Sequence, residues 1–223
     1  MGTQIRVYKK HIICDEENIY IRPEIAVDQL QVGSLLFIDF DTIILRVDFL
    51  EGLKKNGYII CSVLSGGVMG NNKAVTIQQQ GINLPALSEK DTKSLEIAKK
   101  YNIRFCSMSF IDSADDVLEL KKLHPNLKVV AKIETEKGVN NLDEILDVSN
   151  GILIDRGDLS REIPLERIAF AQKIIINKAN AKNIPVFVAT NLLDTMMNSL
   201  HPSRAEINDI VNTLLDGATG LVL

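Results

Sequence analysis

The chain has 223 residues, of which 46% are hydrophobic and 24% charged, a composition typical of a folded globular protein with one large domain or two modest ones. Its formal net charge of −4 argues against nucleic acid or an anionic membrane as a partner, since both favour a basic surface. No apolar run reaches the roughly 18 residues of a membrane helix, and the N-terminal stretch MGTQIRVYKK lacks the apolar core of a signal peptide. We therefore expect a cytoplasmic protein.

The cysteines Cys14, Cys61 and Cys106 are widely spaced and lie in apolar, strand-like runs. Neither their number nor their spacing matches a metal site or a disulfide framework. We interpret all three as reduced core residues.

The first part of the chain contains short β-like runs separated by turn signals. The runs are NIYIRP, SLLFIDF, TIILRVDF and YIICSVL, and the separators include EGLKKNG and SGGVMG. Residues 75–83 then form a predicted strand and connector. This series predicts a small antiparallel β domain over residues 1–82.

From residue 84 onward, predicted helices and strands alternate. The helix after Ser88 has this serine as its N-cap and Asp91 three residues later, which is close to a capping box. Five predicted strands follow: IRFCSMSF, KVVAKIE, GILIDRGD, PVFVAT and ATGLVL. The alternation indicates parallel β/α units over residues 83–223. Five units are fewer than the eight of a closed barrel, and an open doubly wound sheet would lack its usual glycine-rich turn.

Polar residues stand where these predicted strands end, at the edge where parallel β/α folds build their active sites. They are Ser109, Lys132, Glu134, the run Arg156-Gly157-Asp158, and Thr190. The two-residue period of a strand places Lys132 and Glu134 on one face. Carboxylates on adjacent strands could share a divalent ion, while the lysine holds an anionic substrate or donates a proton. Alternatively, Lys132–Glu134 and Arg156–Asp158 are structural ion pairs.

Four stretches in the second half follow one another as in pyruvate kinase, and the chain resembles that family. They are KIETEKGVNNLDEIL, GILIDRGDLSREIPLERIAFAQK, PVFVATNLLDTM and HPSRAEINDIVNTLLDGATGLVL. VGSLLFIDF, GGVMGNNK and LPALSEKD are similar to its small β lid domain where it rejoins the barrel. The resemblance implies an α/β fold, a partial (β/α)8 TIM-type barrel with a small antiparallel β lid domain. It also implies phosphoryl transfer from phosphoenolpyruvate to ADP, giving pyruvate and ATP, the last step of glycolysis.

The resemblance also implies roles for individual residues. Glu134 and Asp158 resemble the carboxylate ligands of the divalent metal, Mg²⁺ or Mn²⁺. Lys132 resembles the cation that stabilises the transferring phosphoryl group and the enolate. Thr190 resembles the hydroxyl-bearing residue where a proton is delivered to the substrate.

Three further positions match groups that bind substrate or nucleotide in the family. Gly157 and Asp158 look like the turn whose backbone amides hold the substrate carboxylate. Ser109 lies where the family has a serine near the substrate, and Lys73 matches a lid lysine that approaches the nucleotide.

Other positions depart from the family pattern. Asn72-Lys73-Ala74 stands where the family has lysine-lysine-glycine, and Asp112 stands where it favours arginine. Asp155 and Ser160 replace small residues beside the turn. The family's first three barrel strands, with their phosphate-gripping arginines and K⁺ ligands, are not found, so no residue here is assigned to K⁺.

A fragment of a longer enzyme and a divergent, shortened paralogue both explain this pattern. An incomplete barrel would expose sheet edges and an apolar face. We expect a homo-oligomer or pairing with a complementary chain, and a stable monomer in light scattering would contradict this. Two other functions stay open: an inactive metal- and oxoacid-binding or assembly module, and a metal-dependent lyase or aldolase acting on pyruvate-like substrates.

Overall fold

The computed structural model describes residues 3–39, 42–78 and 82–223. The chain divides into two compact units, Met1–Pro85 and Ala86–Leu223. Part of the predicted connector over 75–83, residues 79–81, lies outside the described residues. Within the described residues, every helix is too short or too polar to cross a lipid bilayer.

The first unit is built on a mainly antiparallel sheet. Its strands in the described residues are β1 (Gln4–Tyr8), β2 (Asn18–Tyr20), β3 (Leu35–Ile38), β4 (Ile43–Phe49), β5 (Tyr58–Ser65) and β6 (Val75–Gln78). They lie in the order β2-β1-β5-β4-β3-β6, and β1 pairs with β2 in parallel while the other pairs are antiparallel. Strand β1 was not among the predicted strands.

Two short helices also belong to this unit, α1 (Glu24–Asp28) and α2 (Glu51–Asn56). The predicted turn EGLKKNG is in fact helix α2, and it ends at Gly57, whose φ of 74° is a conformation that glycine adopts at little cost. Alternate residues of β1 and β3 are buried, as expected for a sheet with one covered face.

The prediction of three core cysteines is wrong for one of them. Cys61 is fully buried in the core of the first unit, and Cys106 is half-buried. Cys14 is exposed, because it lies in the irregular segment between β1 and β2 rather than in a strand. Burial raises the pKa of the Cys61 thiol to about 12, which keeps it protonated and unreactive at neutral pH.

The second unit alternates helices with the strands of a parallel sheet. Its strands are β7 (Phe105–Met108), β8 (Lys128–Ile133), β9 (Gly151–Asp155), β10 (Val186–Ala189) and β11 (Gly220–Val222). They lie in chain order, β11-β10-β9-β8-β7, and every pair is parallel. The predicted fold class is confirmed: a curled antiparallel sheet and a sequential parallel sheet are consistent with a partial barrel.

Helices connect or follow these strands. They are α3 (Glu89–Lys100), α4 (Ala114–Leu123), α5 (Glu136–Asn140), α6 (Leu142–Val148), α7 (Arg156–Leu159), α8 (Leu165–Ala181) and α9 (Arg204–Leu215), with a 3-10 helix at Asp194–Met197. The predicted capping box of α3 is confirmed: Asp91 N–H donates to Ser88 Oγ at 3.2 Å, and Ser88 N–H donates to Asp91 Oδ2 at 2.8 Å. Helix α9 also begins with a capping box, which Ser203 and Glu206 form.

The two faces of the parallel sheet differ in polarity. Val129, Ala131 and Ile133 of β8 and Ile152 and Ile154 of β9 are fully buried. They share one apolar cluster with residues of the covering helices, including Leu142, Ile145, Ile175 and Ile176. Side chains on the other face of these strands are only partly buried, so polar residues can be placed there.

Replacing a residue of this buried layer should destabilise the fold strongly. We expect Ile154→Ala to lower the free energy of unfolding by about 2–5 kcal/mol, because the cavity left behind cannot fully collapse. Urea denaturation followed by circular dichroism measures the change. Ile174→Ala, on an exposed part of α8, is the matched control and should cost less than about 1 kcal/mol. Similar losses of unfolding free energy in the two variants would contradict the assignment of Ile154 to the buried layer.

Candidate functional site

Apart from Ser109, the polar residues predicted at strand ends lie at the ends of three neighbouring strands, β8, β9 and β10. Lys132 belongs to β8 and Glu134 follows it directly, while Asp155 is the last residue of β9. The turn Arg156–Leu159 forms α7, and Thr190 follows β10. Because these strands are parallel and adjacent, their carboxyl ends meet at one edge of the sheet.

The ammonium group of Lys132 lies between two carboxylates. Its Nζ atom is 2.5 Å from Glu134 Oε1 and 3.0 Å from Asp155 Oδ2. Burial opposes the charge on Lys132, but the hydrogen bonds to Glu134 and Asp155 outweigh it, so the pKa of Lys132 is raised. The lysine is therefore a cation at neutral pH.

Glu134 is the most deeply buried member of this group. Its side chain is 0% exposed, and its Oε2 accepts a hydrogen bond from the backbone N–H of Phe110 at 2.6 Å. Burial is the main cause that raises the pKa of Glu134, and the negative charge of Asp158 adds to it. The buried Oε1 of Glu134 has the Lys132 ammonium group as its partner.

The carboxylates of Glu134, Asp155 and Asp158 form a compact group of oxygen ligands. One oxygen from each lies within 4.8 Å of the others. Asp158 also forms an ion pair with Arg161, at 2.9 Å from Nη2 to Oδ1. Carboxylate oxygens are the ligands that Mg²⁺ and Mn²⁺ prefer, so the donor set fits a divalent metal.

The structure forms one of the two ion pairs named in the alternative interpretation, whereas Arg156 has a different partner. Lys132 and Glu134 are in contact, as that alternative required. Arg156, however, contacts Asp209 of α9 through Nη1, at 2.8 and 3.0 Å from the two carboxylate oxygens, rather than Asp158. Arg156 therefore connects α7 to α9 and to the carbonyl of Thr190.

Thr190 is held in an unusual backbone conformation. Its φ of 70° is rare for a β-branched residue and costs of the order of 1–3 kcal/mol. Arg156 Nη2 donates to its carbonyl oxygen at 2.5 Å, and Gly157 N–H donates to its hydroxyl oxygen at 2.8 Å. The hydroxyl in turn donates to Ala189 O at 2.6 Å. These contacts hold Thr190 beside α7.

Ser109 and Lys73 belong to other elements than β8, β9 and β10. Ser109 follows β7 and is exposed. Lys73 belongs to the first unit, where its Nζ is 2.9 Å from Asp39 Oδ2. It lines a cavity of about 1090 Å³ whose other lining residues include His11, Arg22 and Ile77.

Two of the residues that depart from the family pattern, Asp112 and Asp155, make specific contacts in the structure. Asp112 accepts a hydrogen bond from Thr135 Oγ1 at 2.6 Å, next to the start of α5. Asp155 lies within the carboxylate group, although it was not assigned to the predicted site. Strand register could have revealed it: Ile133 pairs with Ile154, which places the following residues, Glu134 and Asp155, side by side.

The segment after Thr190 is tied back to α9 by Glu206. This carboxylate accepts hydrogen bonds from the backbone N–H and hydroxyl of Thr195 and from the backbone N–H and hydroxyl of Ser203. The hydroxyl of Thr195 is the main cause that lowers the pKa of Glu206, to about 2. Glu206 therefore connects the 3-10 helix to the N-terminus of α9.

Comparison with known proteins gives a consistent result. The family model described as pyruvate kinase, barrel domain, matches residues 2–223. Pyruvate kinase of Geobacillus stearothermophilus is 35% identical over 227 residues, covering 100% of this chain and 38% of that protein. The Clostridium acetobutylicum enzyme is 36% identical, covering 95% and 46%, and that of Dictyostelium discoideum is 38% identical, covering 100% and 48%. The chain thus spans less than half the length of these relatives.

Removing the Arg156 side chain should destabilise the second unit. We expect Arg156→Ala to cost about 2–4 kcal/mol, since the guanidinium is largely buried and its loss leaves Asp209 and the Thr190 carbonyl without their donor. A denaturant double-mutant cycle with Asp209→Asn should give a coupling above about 1 kcal/mol. Lys178→Ala, which removes an exposed ion pair to Asp143, should cost less than about 1 kcal/mol. Independent effects of the Arg156 and Asp209 substitutions would contradict this pairing.

Glu206 should titrate at unusually low pH. An unperturbed glutamate has a pKa near 4.3, whereas that of Glu206 is about 2. Because the folded-state value is lower, its stabilising effect is complete above about pH 4.3 and disappears as the pH falls through about 2. Carboxyl chemical shifts in a heteronuclear NMR titration report the midpoint, and Glu206→Gln should remove that resonance alone. A midpoint near 4.3 would show that the four hydrogen bonds do not persist in solution.

Proposed function

The chain belongs to the pyruvate kinase family, and we propose that it takes part in phosphoryl transfer from phosphoenolpyruvate to ADP, which gives pyruvate and ATP. The observation that carries the proposal is the Lys132–Glu134 pair at the end of β8, with Asp158 beside it. Phosphoryl transfer needs positioned charge more than covalent chemistry, and this edge of the sheet supplies a half-buried cation together with oxygen ligands for a metal.

Glu134 and Asp158 would hold the divalent metal, Mg²⁺ or Mn²⁺. The fit rests on the carboxylate oxygens of these residues and on the short distances between them. When bound, a divalent cation neutralises negative charge on an oxoacid and polarises its oxygens. The protein contributes by keeping both carboxylates in place: Phe110 N–H binds Glu134, and Arg161 binds Asp158.

Lys132 would stabilise the negative charge of the transferring phosphoryl group and of the enolate. Its raised pKa keeps it positively charged at neutral pH, which this role requires. A cation on a half-buried strand end is screened less by water than one on the surface, so its attraction for a phosphoryl oxygen is stronger.

Thr190 and the turn at α7 would position the three-carbon acid. Thr190 places a hydroxyl group beside Gly157, where a proton could be delivered to the substrate. The amides of Gly157 and Asp158 would hold the substrate carboxylate, as donors at the start of α7. They now donate to Thr190 Oγ1 and, at 3.5 Å, to Asp155 Oδ1, so a bound carboxylate would take over these hydrogen bonds.

Two other residues would act at the edges of the substrates. Ser109, exposed after β7, would approach the oxoacid, and Lys73 of the first unit would bind the phosphates of the nucleotide. For Lys73 this requires release from Asp39, at modest cost because both side chains are partly exposed.

One observation favours a second candidate, an inactive module that binds metal and an oxoacid. Lys132 contacts Glu134 and Asp155 at once, so its charge is already largely neutralised within the protein. A lysine that stays in this double ion pair would not stabilise a phosphoryl group. Binding would then persist without turnover.

We propose that the chain associates with a second copy of itself or with a complementary chain. Helices α8 and α9 expose large apolar side chains, among them Phe170, Ile174, Val211 and Leu215. Such side chains on neighbouring helices favour a covering protein surface.

Calorimetry and a coupled assay test the proposed function. Titration of the chain with oxalate, an enolate mimic, in the presence of Mg²⁺ should give saturable binding. Absence of binding would contradict both candidates. If oxalate binds, coupled detection of pyruvate separates them: turnover supports the enzyme, and binding without turnover supports the module.

A pair of lysine variants controls the assay. Lys132→Met should lower any turnover by at least about 100-fold, since it removes a group that stabilises transition-state charge. Lys178→Met, at an exposed ion pair, should leave turnover unchanged.

A further inference from the structure

We infer that Asp155 is a third carboxylate ligand of the metal, so that the free chain binds a divalent cation without any oxoacid present. The inference rests on the proposed function in one respect, since it takes Glu134 and Asp158 as the other two ligands. It assigns to Asp155 a role that the resemblance does not imply, because the family has a small residue at this position.

The position of Asp155 follows from strand pairing. Ile133 of β8 is aligned with Ile154 of β9, so the next residues of both strands, Glu134 and Asp155, lie next to each other. The side chain of Asp155 is only 13% exposed, and its Oδ2 is 3.0 Å from Lys132 Nζ. It therefore faces the same group of atoms as Glu134 rather than solvent.

Asp155 is also fixed relative to Asp158. Its Oδ1 accepts a long hydrogen bond, 3.5 Å, from the backbone N–H of Asp158 as the N-cap of α7. This contact connects the Asp155 carboxylate to the backbone of Asp158. The oxygens of Glu134, Asp155 and Asp158 lie within 4.8 Å of one another, close enough for one ion to contact all three.

The charges around the group are not balanced by the protein alone. Three carboxylates face two cations, Lys132 and Arg161, which leaves a formal excess of one negative charge. The excess lies beside Glu134, whose side chain is fully buried and shares the Lys132 ammonium group with Asp155. Buried charge without full compensation is costly, and a divalent cation would remove that cost.

A third carboxylate changes what the metal needs from the substrate. Proteins usually bind Mg²⁺ through one or two carboxylates together with substrate oxygens and water. Here Asp155 offers the additional anionic oxygen that a bound oxoacid would otherwise supply. Metal binding should therefore precede substrate binding and depend little on it.

Titration of the full chain with Mn²⁺ alone, followed by electron paramagnetic resonance of the free ion, tests the inference. Asp155→Ala should weaken Mn²⁺ binding at least tenfold, because it removes one of three charged ligands. Asp216→Ala is the matched control: that carboxylate also pairs with a lysine, Lys173, but lies outside the group, and its loss should change affinity less than twofold. Equal Mn²⁺ affinity of the wild-type chain and Asp155→Ala would overturn the inference, as would absence of Mn²⁺ binding by the wild-type chain.

A second titration with saturating oxalate separates this inference from the proposed function. Oxalate should tighten Mn²⁺ binding by less than about threefold in the wild-type chain and by at least tenfold in Asp155→Ala, where it replaces the missing ligand. A damaged fold of Asp155→Ala would also lose both responses, and it is recognised separately by a circular dichroism spectrum that differs from that of the wild-type chain. If Asp155→Ala loses Mn²⁺ and oxalate has no effect on either protein, the oxoacid site is contradicted while the role of Asp155 stands.

Anomalous scattering from Mn²⁺-soaked crystals of the wild-type chain gives an answer that needs no variant. An Asp155 oxygen within about 2.0–2.6 Å of the metal supports the inference. A bound metal in contact with Glu134 and Asp158 but more than about 4 Å from Asp155 overturns it.

Discussion

Helices cover one face of the parallel sheet in the second unit, and this burial decides where every side chain at the ends of β8 and β9 can point. Val129, Ala131 and Ile133 must face the helices, since each is fully removed from water. Lys132 and Glu134, which alternate with these residues, therefore lie on the other face. Parallel pairing then aligns the two strand ends, so that a lysine and its carboxylate neighbours meet at one edge.

Much of this could be predicted because it depends on local pattern. The β/α alternation after residue 84, the capping box of α3 and the common face of Lys132 and Glu134 all follow from short-range periodicity and capping chemistry. Strand β1 escaped prediction because its partners, β2 and β5, lie elsewhere in the chain and no turn signal marks it. The surface position of Cys14 was missed for a similar reason, since an apolar run can also continue into an irregular segment.

The candidate site was less predictable where it depends on packing between distant segments. Arg156 could not be paired from sequence, because its partner Asp209 comes from α9, 53 residues further on. The left-handed backbone of Thr190 likewise depends on donors from α7. Asp155 stood out in sequence only as a departure from a family pattern. Its position in the carboxylate group follows from the register of β8 and β9, which places it beside Glu134.

The two hydrogen bonds of the Thr190 hydroxyl group determine how this group could give up its proton. A hydroxyl carries a single proton, and that of Thr190 is already given to the carbonyl of Ala189, while its oxygen accepts from Gly157. Turning this proton elsewhere requires only rotation about the Cβ–Oγ bond, which breaks the hydrogen bond to Ala189 and leaves the one from Gly157 in place. Proton donation by Thr190 would therefore cost one hydrogen bond, and the Gly157 amide would hold the hydroxyl oxygen in place while the proton turns.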